Sequence, residues 1–92
     1  MSDVFDALAH PVRRKILKLL RSRPMSAGEI AEQVDIAKPT LSGHFAVLKA
    51  ADLVGTERRG TTIIYRLNMS VLEEAVAMLM GIAGKKSRSG EK

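Results

Sequence analysis

The chain has no cysteine and no tryptophan, and only one tyrosine and two phenylalanines in 92 residues. Lacking cysteine, it forms no disulfide and offers no thiolate to a metal, and this absence carries no message about compartment. Its three prolines, Pro11, Pro24 and Pro39, fall where helices would start or stop. No stretch approaches the roughly 18 apolar residues of a membrane span. The opening MSDVFDALAHPVRR lacks the basic-then-apolar order of a signal peptide, so a cytoplasmic location is expected. There is no G-x-S-x-G motif, and the two histidines, His10 and His44, stand far apart without an evident acid–base partner. These absences argue against an enzyme and against a bound cofactor.

What is present is a chain of ordinary apolar content, 46%, long enough for one modest core. The net charge is +5, but it is unevenly spread: residues 85–92, KKSRSGEK, hold four bases and one acid, leaving 11 bases against nine acids in residues 1–84. Residues 1–84 are therefore expected to form one domain and residues 85–92 a basic flexible tail. A domain so mildly basic is a nucleic-acid binder only if its bases are placed for it.

Val4, Phe5 and Leu8 give a short apolar stripe. Pro11 then opens a helix in which Val12, Ile16, Leu19 and Leu20 share a face, with His10 near its cap. Ser26 and Glu29 have the spacing of a capping box, followed by the stripe Ala27, Ile30, Ala31 and Val34. Asp35-Ile36-Ala37 reads as a turn. Pro39 starts a further helix, about 39–51, with Leu41, His44, Phe45 and Leu48 inward. From Leu53 the residues favour strands, and Arg59-Gly60 supplies a hairpin turn within a two-stranded unit over about 53–67. Ser70 and Glu73 suggest a second capping box. The helix behind it, with Val71, Leu72, Ala75, Val76, Met78, Leu79, Met80 and Ile82, is apolar over most of its girth. Such a helix is buried on more than one side, and a second copy of the chain is the expected cover. Val4, Phe5, Leu8, Leu72, Ala75, Val76, Leu79 and Ile82 are the expected dimer interface.

Two helices joined by a three-residue turn make a helix-turn-helix, whose second helix lies in the major groove of DNA with its first residues at the base edges. Those residues are Lys38, Pro39, Thr40, Ser42 and Gly43. They are mostly small, which lets a helix approach the groove floor, and Lys, Ser and Thr supply donors for bases or phosphates. Arg58 and Arg59 at the hairpin tip suit a minor groove or its phosphates. His44 leans toward the inner face, and a structural role and a phosphate contact are equally open for it. Ser26 is explained by capping alone, and Arg13 and Arg14 read as ordinary solvated bases. Met78 and Met80 read as packing residues rather than a ligand site.

The strings HPVRRKILKLL and MSAGEIAEQVDIAKPTLSGHFAVLKAADLVGTERRGTTIIYRLN resemble the ArsR-type winged-helix repressors, in particular the SdpR-like branch with its I-x-K-P-x-x-S-x-H run. The resemblance spans residues 3 to about 82. It implies a mainly α winged helix-turn-helix of about five helices plus a two-stranded wing. It also implies a homodimer joined through first and last helices, and a nucleoid-associated repressor of a palindromic promoter, often its own. Many members sense metals through cysteines or through Asp/His clusters on the last helix. This chain has no cysteine, and only the adjacent Glu73 and Glu74 there, so metal sensing is not expected. The SdpR-like branch implies release by a membrane-protein anti-repressor. Two other readings stand beside the repressor: a winged-helix protein-interaction module without DNA, and a regulator binding a small molecule at the dimer interface.

Overall fold

A computed structural model describes residues 3–84; the expected basic tail lies outside the described residues. The elements run α1 (Val4–Leu8), α2 (Pro11–Ser22), β1 (Met25–Ser26), α3 (Ala27–Val34), α4 (Lys38–Ala50), β2 (Val54–Arg59), β3 (Thr62–Leu67) and α5 (Met69–Ala83). Local chemistry sets their ends. His10 Nδ1 accepts the Val12 amide at 3.2 Å, and Pro11 occupies the first turn of α2, where it forfeits no helical bond. Ser26 Oγ accepts the Glu29 amide at 3.1 Å while the Glu29 carboxylate accepts the Ser26 amide at 2.9 Å, completing the capping box. That bond from the Ser26 amide holds the Glu29 carboxyl below its ordinary pKa. Asp35, left-handed at φ 55°, closes α3 as its amide donates to the Ala31 carbonyl. The chain then turns into α4 in three residues.

One apolar cluster joins these elements. Ile16, Leu17 and Leu20 of α2 meet Ile30 and Val34 of α3, then Leu41, Phe45 and Leu48 of α4, with Leu53 and Val54 leading into the hairpin. No charged or polar residue is buried among the described residues.

Two expectations need correction. The wing is not a free two-stranded ribbon, because β1 completes an antiparallel sheet of order β1-β3-β2, pairing Met25 with Tyr65 and Ser26 with Ile64. Two residues are too few to show alternation. Their pairing follows from burial of Met25 in the core, which presses the segment before α3 against β3. The second correction concerns Ser70 and Glu73, which form no capping box. Helix α5 begins at Met69, and Asn68 occupies its cap without its side chain accepting a first-turn backbone amide. Asn68 is committed elsewhere: its backbone amide donates to the Leu53 carbonyl at 2.9 Å and its Nδ2 to the Asp52 carbonyl at 3.0 Å, clamping the base of the hairpin. The Ser70 hydroxyl donates to Asn68 Oδ1 instead.

Helix α5 leaves the body. The Cα radius of gyration is 14.9 Å with a long dimension of 52 Å, against about 12 Å for a compact domain of this length.

Candidate nucleic-acid interface

Helix α4 divides cleanly into two faces. Leu41, Phe45 and Leu48 are buried, while Lys38, Pro39, Thr40, Ser42, Gly43 and Ala46 are exposed. Gly43 has no neighbouring heavy atom within 4 Å of where a Cβ would stand, so nothing in the fold requires glycine there. Lys38 leans back across the turn: its Nζ lies 4.0 Å, and Ser26 Oγ 3.9 Å, from where a Cβ on Gly28 would stand. Its ammonium therefore sits near the positive end of α3, which is where a phosphate is favoured.

His44 belongs to a cluster that ties α4 to the N-terminal helices. Its ring centroid is 4.6 Å from that of His10, and its Nδ1 is 3.3 Å from Arg13 Nη1. A guanidinium only donates, so Nδ1 accepts and the proton of the neutral ring is assigned to Nε2. Burial, then the neighbouring His10 and Arg13, hold the His44 pKa below its ordinary value. Arg13 also donates from Nε to the Ala7 carbonyl at 2.8 Å and from Nη2 to the Asp6 carbonyl at 3.2 Å. Arg14 Nη1 donates to the Leu8 and Ala9 carbonyls at 2.8 and 3.0 Å.

Arg13 and Arg14 are therefore not merely solvated: both donate to carbonyls where α1 ends. The signal was available, since a short helix stopping just before Pro11 needs donors for its last carbonyls.

In the wing, Gly60 at φ 63° and Thr61 connect β2 to β3, with Arg59 opposite Thr62, Arg58 opposite Ile63 and Glu57 opposite Ile64. The pleat separates the two arginines. Arg59 shares a face with Glu57 and Arg66. It donates to the Glu57 carboxylate at 3.1 Å, and Arg66 donates to the other oxygen. These two bonds, Arg59's first, hold the Glu57 carboxyl below its ordinary pKa. Arg58 shares the opposite face with Tyr65, whose ring stacks on Phe45 of α4 at 4.2 Å. Among the described residues, Arg58 takes part in no ion pair. It is exposed, on the pleat face that, nearer the body, rests on α4.

Of the residues expected at a dimer interface, Val4, Leu8 and Leu72 are half-buried against the core, Phe5 is half-buried, and Val76, Leu79 and Ile82 are 50, 48 and 78% exposed. Ala75, at 4%, is packed inside its own chain and leaves that set. Met69, Met78 and Met80 add to the exposed apolar surface. Among the described residues, no three of His, Asp and Glu converge as metal ligands, and no helix is long and apolar enough to cross a membrane.

Comparison with known proteins adds a helix-turn-helix domain family that matches residues 8–57. The transcriptional repressor SdpR of Bacillus subtilis is 41% identical over 85 residues, covering 92% of this chain and 94% of that protein. Among solved structures, the transcriptional repressor BigR of Xylella fastidiosa superposes with a TM-score of 0.70 at 35% identity, covering 85% of this chain and 80% of that one. A possible transcriptional regulator for arsenical resistance superposes with a TM-score of 0.82 at 27% identity, covering 89% and 85%.

Proposed function

Because this chain belongs to the ArsR-type winged helix-turn-helix repressors, we propose that it acts as a homodimer on a palindromic operator and that its own promoter is among its targets. Helix α4 enters the major groove, and Lys38, Pro39, Thr40, Ser42 and Gly43 face the bases or the adjoining phosphates. The wing places Arg58 at the minor groove or its phosphates, and Arg59 contributes a weaker, Glu57-tempered charge. His44 offers Nε2–H to a phosphate while Nδ1 accepts from Arg13.

The observation that carries this reading is the two-faced α4. A helix whose outer face is open, small and polar, backed by a packed inner face, is what close approach to base edges needs. A protein-interaction module that had abandoned DNA would have no use for that combination beside an unpaired wing arginine. The repressor so proposed does not sense a metal: its sequence has no cysteine, and Glu73 and Glu74 are adjacent, about 100° apart on α5. Autoregulation and release by a membrane-protein anti-repressor are drawn from the likeness to the SdpR-like branch.

The test is fluorescence anisotropy and footprinting with the full chain on the duplex upstream of its own gene, against a scrambled duplex, between 50 and 200 mM salt. The expected result is protection of two half-sites roughly 34–36 Å apart, with log affinity falling linearly against log salt. Equal affinity for both duplexes would remove sequence-specific repression at that promoter.

A further inference from the structure

A cleft of ≈ 300 Å³, lined by no residue of α4, opens between α1, α2, β3 and α5. Its apolar walls are Leu17, Leu67, and Leu8 and Leu72, the last two also expected at the dimer interface, and its remaining lining residues are Arg14, Lys18 and Arg21. No acid lines it. The three bases are spaced i, i+4, i+7 along α2, so they form one stripe beside Leu17. Arg21 in the last turn of α2 is also favoured by the helix dipole, but Lys18 and Arg14 lie further back. Arg14 is held in place by the Leu8 and Ala9 carbonyls through Nη1, which leaves its Nη2 free to donate. Among the described residues none of the three enters an ion pair.

We propose that this cleft binds an amphiphilic monoanion, a short aliphatic chain ending in a carboxylate, with the chain among the leucines and the head on Lys18 and Arg21. The charge arrangement selects the class: a leucine-lined cleft rimmed by cations and by no acid favours a body that avoids water and a head that is negative. The volume selects the size. At about 30 Å³ for each water-sized atom, the cleft holds about ten heavy atoms, the number in octanoate. The inference concerns the protein without DNA, so it stands or falls apart from the operator reading.

Isothermal titration calorimetry of the full chain with octanoate, octanol and acetate tests it. Saturable octanoate binding is expected, with octanol and acetate each weaker by about ten-fold or more, since one lacks the charge and the other the chain. Lys18 and Arg21 are exposed, so the double substitution Lys18→Gln/Arg21→Gln keeps the fold, which its melting curve checks. It should weaken octanoate by about ten-fold and leave octanol unchanged. Equal binding of octanoate and octanol, or of octanoate to both proteins, overturns the proposal. So does an absence of octanoate binding, the outcome if a second copy closes the cleft.

Discussion

At the scale of single residues, Gly43 separates the demands of folding from those of recognition. Glycine inside a helix costs about 1 kcal/mol relative to alanine, and the space around Gly43 is empty. Gly43→Ala should therefore stabilise the protein by about 1 kcal/mol in a denaturant titration while weakening operator binding, because a methyl group then stands between helix and groove floor. Stabilisation with unchanged affinity would show that position 43 does not face the groove.

His44 makes a different prediction. Burial, then the neighbouring His10 and Arg13, hold its pKa below the ordinary value and so disfavour the cation in the fold. The unfolded chain takes up that proton more readily, near the ordinary value of 6.5. The associated stability is present above that pH, is lost as the pH falls through the lower folded-state value, and then levels off. Chemical denaturation from pH 7.5 to 5 should show this loss in the natural protein. His44→Gln, which keeps an acceptor for Arg13, should lack it. Parallel profiles for the two proteins would exclude His44 as the source. Loss from the Glu29 and Glu57 carboxyls falls at lower pH, because the bonds they accept hold both below the ordinary 4.5.

At the scale of elements, the helix-turn-helix was readable because each of its signals is local. A capping box, a three-residue turn and an apolar stripe of period 3.6 sit side by side in the chain, and they returned α3 and α4 nearly residue for residue. The wing was readable as a hairpin but not as a charged surface. Alternation tells which residues share a pleat face; it does not tell that Glu57 is drawn to Arg59 and Arg66 and leaves Arg58 alone. Strand β1 is too short to have a periodic pattern of its own, and the clasp of Arg13 and Arg14 on α1 is a contact between two elements, which the period of either one does not report. The wing arginines are thereby predicted to differ. Arg58→Ala should lower the salt dependence of operator binding by about one phosphate contact, a slope change of about 0.9. Arg59→Ala should change it less, because part of its charge is already answered by Glu57, a carboxylate that Arg66 still holds in the variant. Equal slopes for the two variants would mean that the ion pair opens on binding and that the pleat does not decide which arginine is used.

At the scale of the whole molecule, α5 carries apolar surface that its own chain does not cover. At 100° per residue its apolar positions fall into two groups. Val71, Ala75, Met78 and Ile82 continue one face, which packs on the core at Val71, is still covered at Ala75 and then runs out, leaving Met78 and Ile82 57 and 78% exposed. Leu72, Val76, Leu79 and Met80 make a second face beside the first, half-exposed from Val76 onward. A 15-residue helix that carries two apolar faces away from the body explains both the 52 Å long dimension and the excess radius of gyration. A second copy placed against α5 and the half-buried Phe5 of α1 would cover these faces, and it would also hold two α4 helices at a fixed spacing. Leu79→Glu tests this. The residue is 48% exposed in the single chain, so a charge there costs the protomer little, whereas in a dimer seam it is desolvated and, across a two-fold axis, faces its own copy. The variant should sediment as a folded monomer. It should also bind a two-half-site operator about 100-fold or more weaker, because the second half-site no longer benefits from the first, while its affinity for an isolated half-site is unchanged. A variant that stays dimeric would move the interface off α5. A monomer that binds the full operator as tightly as the natural protein would show that each α4 reads DNA alone.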